Sequence, residues 1–310
     1  MTNAPTRQSF SAALAERGPQ YPEVVVLDAD LSKSTKSELF RKVCPDRFFQ
    51  MGICEQNMIG AAAGLAMSGK TAFCFSFACF VAGRFETIKI SVAYGGANVK
   101  IIGTHAGVGV GADGYSQMSL EDIALMRSLP AMRVYQPADD IEAAALCEHL
   151  CRTPGPAYVR LTRQNVPTIH ADGYVFRDGE LDELRSGTDL ALFGTGATSA
   201  ECLKAADRLG DSQGLSVAVV NVPSIKPIDV DGIASWAKRV PLIVTVEDHN
   251  VLAGMGSAVA EVLAEVGGAR LLRHGVHDAF GESGSAAELY RKHRLDADGI
   301  AEVAVAARTR

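Results

Sequence analysis

The sequence has no run of like charge, no low-complexity tract and no apolar stretch reaching the roughly 18 residues of a membrane span, because Gly or a charged side chain interrupts each one earlier. A membrane-embedded chain is therefore not expected. Lys and Arg number 30 against 36 Asp and Glu, for a net charge of −6. That balance argues against nucleic acid or a membrane surface as partner, either of which would favour a basic face. The start, Met1-Thr2-Asn3-Ala4-Pro5-Thr6-Arg7, lacks the apolar core of a secretory signal, so a cytoplasmic location is expected. Seven cysteines (44, 54, 74, 79, 147, 151 and 202) form no Cys-x-x-Cys pair and sit mostly in apolar runs, which suggests buried, reduced thiols. Cys147 and Cys151 share a helical face but lack the further ligands of a metal site. No Walker loop and no His-Glu-x-x-His motif occurs.

What is present is an ordinary soluble composition, 47% hydrophobic and 21% charged, over 310 residues, long enough for two domains. Short β-rich apolar runs alternate with longer helical patterns, as in parallel sheets with crossover helices. The first half offers strands at Val24–Leu27, Ala72–Phe75, Lys100–Gly103, Met132–Tyr135 and Tyr158–Leu161, with helices at Gln56–Met67 and Ala138–Leu150. A polar, strand-poor stretch spans residues 166–188. A second series follows, with strands at Leu190–Phe193, Ser216–Val220, Leu242–Val246 and Arg270–Arg273. Its helices are Ser199–Leu209, Asp229–Ala237, Gly256–Val266 and Ala286–His293. The expectation is two doubly wound, mostly parallel α/β domains, residues 1–170 and 188–310, joined by a linker over 171–187.

Three features invite a functional reading. Gly194-Thr195-Gly196-Ala197-Thr198 follows a strand, but a dinucleotide fingerprint needs a third glycine and a ribose-binding acid. A tight turn accounts for those glycines. The glycine-rich segment from Gly103 to Gly114, with His105 and Asp113, follows a strand end, where parallel sheets place ligands; it reads equally as a surface loop. Glu55 opens a nearly uncharged helix of small residues. It reads either as an acid complementing the helix dipole or as a carboxyl in apolar surroundings that shares a proton with a ligand. Phe73 and Phe75 look like sheet core, whereas Phe77 and Phe80 stand at or beyond the strand end, where an aromatic can stack on a planar ring.

The ordered set of motifs resembles the C-terminal two-thirds of the transketolase family. It comprises Asp28-Ala29-Asp30-Leu31-Ser32-Lys33-Ser34-Thr35, Gly52-Ile53-Cys54-Glu55-Gln56-Asn57-Met58, Phe77-Ala78-Cys79-Phe80 and Asp113-Gly114. It continues through Glu121-Asp122-Ile123-Ala124-Leu125-Met126-Arg127, the run Gly155–Asn165, Lys226-Pro227-Ile228-Asp229, and Val246-Glu247-Asp248-His249 before Gly254-Met255-Gly256-Ser257. The resemblance implies a thiamine-diphosphate pyrimidine-binding domain followed by a transketolase C-terminal domain. It assigns Glu55 to the glutamate that hydrogen-bonds N1′ of the cofactor's aminopyrimidine, favouring the tautomer that removes the thiazolium C2 proton. It sets Phe80 on the pyrimidine with Phe77 beside it, and Asp30 near the cofactor. Arg7, Ser34, His105 and Arg163 match sugar-phosphate contacts, and Asp113 the residue that reads a ketose hydroxyl.

One departure and one gap qualify the likeness. After Asp113-Gly114 the chain reads Tyr115-Ser116-Gln117-Met118, so Gln117 stands where the family has a histidine. A Gln donates a hydrogen bond but carries no proton at neutral pH, which suggests a substrate unlike the usual pentose phosphates. The sequence also has no Gly-Asp-Gly, the motif that with a downstream Asn holds the metal and diphosphate. The expectation is a separate diphosphate-binding subunit that carries Mg²⁺ or Ca²⁺, no metal site on this chain, and an α2β2 assembly. The rival readings are the β subunit of a 2-oxoacid dehydrogenase, a non-catalytic partner subunit of this fold, and a nucleotide-binding oxidoreductase.

Overall fold

The computed structural model describes residues 3–309. The first half carries strands β1 (Asn3–Ala4), β2 (Val24–Asp28), β3 (Phe48–Gln50), β4 (Thr71–Phe77), β5 (Val99–Thr104), β6 (Arg133–Tyr135), β7 (Ala157–Arg160) and β8 (Val166–Pro167). The second carries β9 (Asp182–Arg185), β10 (Leu190–Gly194), β11 (Val217–Asn221), β12 (Ser224–Lys226), β13 (Leu242–Asn250) and β14 (Arg270–Val276). Two main sheets result, with orders β12-β6-β7-β5-β4-β2-β3 and β14-β13-β10-β11-β9. All pairings within them are parallel except β12 with β6 and β9 with β11. This is the expected pair of mostly parallel α/β layers. Every residue of β2, β4 and β5 is buried, the signature of strands covered by helices on both faces.

The differences from expectation have physical reasons. Helix Thr6–Arg17 was not expected, because its inward face is a sparse set of Phe10, Ser11, Leu14 and Ala15. The closing helix Ala297–Arg308 alternates Val and Ala as a strand would, but Asp296 caps it, accepting from Gly299 N at 3.0 Å. Strand β9 lies inside the polar 166–188 stretch, and β12, from the second half, extends the first sheet. Of the cysteines, Cys54 is exposed and Cys79 half-buried, while the other five are buried.

Polar side chains tie the two layers together. Asn221 on β11 donates to the buried Glu142 at 3.0 Å. His170 lies between Asp139 (Nδ1 to Oδ2, 2.9 Å) and Asp182 (Nε2 to Oδ2, 2.8 Å). Burial opposes its charge, yet hydrogen bonds to Asp139 and Asp182 outweigh it and lift the ring to about 10. Arg160 on β7 is fully buried; it pairs with Asp122 at 2.9 Å and donates to the carbonyls of Ser119 and Asp248.

Candidate active site

The carboxyl ends of β2, β4 and β5 open onto one region. Glu55 is the first residue of helix Glu55–Met67, where the helix dipole favours a negative charge. It is only 6% exposed, and its Oε1 accepts from Ser76 Oγ at 3.1 Å. Among the described residues, no other side chain hydrogen-bonds this carboxylate. A buried carboxyl with a single neutral partner retains capacity for a donor from a ligand. Ser76 comes from β4, whose last residue is Phe77. The rings of Phe77 and Phe80 stack at 5.5 Å with a 12° interplanar angle, and Phe77 stacks on His105 at 3.7 Å. Phe77 is buried and Phe80 half-buried, so Phe80 keeps surface available to a flat ring.

His105 follows β5 in a left-handed backbone conformation, with φ 56°. Its Nε2 faces Arg7 NH1 at 2.5 Å, and its Nδ1 faces Thr104 Oγ1 at 2.9 Å. A guanidinium only donates, so Nε2 accepts and the ring is the neutral Nδ1–H tautomer. Thr104 Oγ1 in turn donates to Ser76 O at 3.2 Å. A line of hydrogen bonds thus runs from the Ser76 residue beside Glu55, through Thr104 and His105, to Arg7. Burial, Arg7 and Arg163 push His105 down to about 2. Burial and Arg163 lower Arg7 to about 10, and its Nε is buried without a partner among the described residues. Two close guanidiniums and an unsatisfied N–H make an anion-seeking corner.

Arg7 and Arg163 meet because chain-distant segments are clamped together. β1 pairs antiparallel with β8, and Thr6 and Thr162 exchange backbone-to-hydroxyl bonds of 3.2 and 2.8 Å. Arg163 donates to Val110 O at 3.0 Å and lies 3.7 Å from Asp113 Oδ2. Asp113 is thereby brought into the cluster.

Among the described residues, the side chains of Asp30, Ser34 and Gln117 make no hydrogen bond or ion pair with the other candidates. Asp30, with φ 63°, donates its backbone N–H to Gln50 at 2.7 Å, and Ser34 lies in the short helix Ser32–Thr35. Gln117 donates to its neighbour Ser116 at 3.3 Å. The Asp30–Ser34 turn is organised by a residue that sequence reasoning did not single out. The buried Asp28 accepts from Leu31 N, Thr35, Ser37 and Gln50 at 2.7–3.3 Å. Burial raises its carboxyl above the ordinary value.

The glycine-rich segment is not a surface loop, since residues 103–111 are buried throughout. Asp248, on β13 of the other layer, accepts from the backbone N–H groups of Val108 (2.8 Å) and Gly109 (3.2 Å) and from Tyr290 (3.1 Å). Gly107 has φ +81°, and a Cβ there would run into the Asp248 carboxylate. Asp28, Asp248, Ser76 and Thr104 are the supporting residues missed at the sequence level. Asp28 and Asp248 carried a signal, in Asp28-Ala29-Asp30 and Glu247-Asp248-His249. Glu142, His170 and Asp182 converge as three potential metal ligands, but both His170 nitrogens already face carboxylates and Glu142 is held by Tyr174 and Asn221.

A thiamine-type cofactor fits the first half of this site. A buried carboxyl with a free oxygen suits a ring nitrogen, and the half-covered Phe80 suits an aromatic face. Known proteins resemble the chain over nearly its whole length. Residues 2–168 match the transketolase pyrimidine binding domain, and residues 179–300 the transketolase C-terminal domain. A putative transketolase C-terminal section of Methanocaldococcus jannaschii is 43% identical, over 96% of this chain and 94% of that protein. A 6-deoxy-6-sulfo-D-fructose transketolase subunit of Clostridium sp. is 37% identical, over 96% and 92%. A solved split-gene transketolase, described as an inactive β4 tetramer, superposes with a TM-score of 0.90 at 42% identity, over 96% of each chain. The chain belongs to the transketolase family and carries both its pyrimidine-binding and its C-terminal domains.

Proposed function

We propose that this chain is one subunit of a split, thiamine-diphosphate-dependent transketolase that moves a two-carbon ketol unit from a ketose phosphate to an aldehyde. A diphosphate-binding subunit would hold the cofactor's metal and complete the site, in an α2β2 assembly. The observation that carries this reading is the buried Glu55 carboxyl, held among the described residues by Ser76 alone, next to the Phe77–Phe80 stack. Thiamine diphosphate, when bound, supplies the carbanion chemistry. Glu55 would hold a proton at N1′ of its pyrimidine, with Phe80 against the ring and Phe77 behind. Asp30 would stand near the cofactor.

Arg7, His105 and Arg163 would take the sugar phosphate, with Ser34 adding a hydroxyl. Neutral His105 serves there as an orienting group for Arg7 rather than as a third cation. Asp113, anchored near Arg163, would read a donor hydroxyl. Gln117 would donate a hydrogen bond close to the reacting carbons without moving a proton. This arrangement supports a donor or acceptor other than the common pentose phosphates.

The test is Glu55→Gln and Glu55→Ala in the enzyme assembled with its partner subunit. Both are expected to lower kcat by about a thousandfold or more, with the ketose KM changed little. Unchanged turnover in both variants would remove Glu55 from the chemistry.

A further inference from the structure

At the free edge of the second sheet, β14, the turn after residue 291 and helix Ala297–Arg308 enclose a cleft of about 420 Å³. None of its walls belongs to the cluster around Glu55. Arg273, His274, His277, Lys292, His293 and Arg294 line it, and among the described residues no carboxylate does. Leu272, Val303 and Ala306 supply its apolar surface. Three of these groups, Arg273, Lys292 and Arg294, are cations, gathered on a chain whose net charge is −6.

The geometry gives each group a defined task. His274 is 3% exposed and donates from Nε2 to Arg294 O at 2.8 Å, which fixes the turn against β14. Its ring lies 5.7 Å from that of His277. Arg273 is committed to Val251 O (2.9 Å) and Ser257 (2.8 Å) and acts as a fixed charge. Lys292 and Arg294 pair with Glu282 and Glu302, both at the exposed surface. Solvent-exposed pairs hold their partners weakly, so both cations are free to turn to a ligand. Burial above all, with His277, Arg294 and His293 adding to it, pushes His274 down to about 4, so its ring is a neutral hydrogen-bonding group.

We propose that this cleft binds a phosphorylated small molecule with an apolar body, at a site separate from the sugar-phosphate corner at Arg7 and Arg163. Lys292, Arg294 and the imidazoles address the phosphate, and the Leu272–Val303 wall addresses the remainder. The volume lies within the range of roughly 300–1,000 Å³ usual for small-molecule pockets and is too large for a bare anion.

The experiment is calorimetric titration of the full chain with inorganic phosphate, phenyl phosphate and phenol. Phenyl phosphate is expected to bind about tenfold or more tightly than phosphate, with phenol silent. His277→Gln combined with Lys292→Gln, both exposed side chains, is expected to weaken phenyl phosphate by about tenfold or more. Arg163→Ala is expected to leave it unchanged. Four outcomes would overturn the proposal: no binding of phenyl phosphate, equal affinity for phosphate and phenyl phosphate, full affinity in the double variant, or loss in Arg163→Ala.

Discussion

The imidazole of His105 shows how much one contact can decide. Arg7 can only donate, so the 2.5 Å contact at Nε2 leaves the ring neutral and sends the remaining proton to Thr104. Burial and the two arginines act in the same direction, taking the ring down to about 2. In the unfolded chain the same side chain titrates near ~6.5. Below that pH the unfolded state binds a proton that the folded state does not, so His105 subtracts stability as pH falls from about 6.5 toward 2. The expected result is that the His105 ring nitrogens, followed by long-range ¹⁵N NMR, keep the Nδ1–H pattern unchanged between pH 8 and 5. A His105 transition inside that window would remove the neutral-ring assignment and with it the two-arginine reading of the phosphate corner. Glu55 was legible as a candidate because a lone acid in a run of small residues stands out. Ser76 was not, since a hydroxyl within an aromatic strand packs as well as it bonds, and only the fold shows Glu55 in front of it.

At the level of elements, the stretch between the two layers matters most. Asp139 caps helix Asp140–Arg152, accepting from Glu142 N at 2.8 Å, and its second oxygen pairs with His170. His170 also reaches Asp182 on β9, so one imidazolium pins a helix start to a strand of the other sheet. Its folded pKa, about 10, lies above the unfolded ~6.5. The clasp therefore contributes fully below about pH 6.5 and is lost as pH rises toward 10. His170→Gln is expected to cost about 3 kcal/mol at pH 6 and progressively less toward pH 10, read by urea denaturation at each pH. A pH-independent cost would mean that the ring acts by packing alone. The parallel strands were legible because burial on both faces makes them apolar runs, as in Val24–Asp28. β9 and β12 were not. Three or four residues such as Ser224–Lys226 take a strand conformation only because a neighbouring edge is there to pair with.

At the scale of the whole molecule, the C-terminal layer shapes the site without entering the Glu55 cluster. Asp248 draws the Val108–Gly109 backbone inward, and Arg160 ties Asp122 to the Asp248 carbonyl. Gly107→Ala sets a Cβ against Asp248 in a backbone region that side chains disfavour. A loss of about 2–4 kcal/mol is expected, with thermal unfolding of the variant separating into two transitions as the layers uncouple. One unshifted transition would show that the latch carries no coupling. Completeness is the other question at this scale. In the proposed site Glu55, Phe77 and Phe80 would address one ring of the cofactor, whereas a divalent cation with its diphosphate needs a set of hard oxygen ligands. Among the described residues the one convergent group of three potential ligands, Glu142, His170 and Asp182, is already bonded within itself and to Asp139, Tyr174 and Asn221. The sequence likewise has no Gly-Asp-Gly. A pyrimidine contact alone supplies a fraction of the binding energy, because the doubly charged tail stays in solvent. Titration of the isolated chain with thiamine diphosphate and Mg²⁺ should therefore give no affinity tighter than about 1 mM, equivalent to about −4 kcal/mol. Adding the diphosphate-binding subunit should bring the affinity to about 1 µM or better and start turnover in the same sample. Tight, Mg²⁺-dependent binding by the chain alone would mean that the diphosphate site lies on this polypeptide, and the divided active site would have to be abandoned.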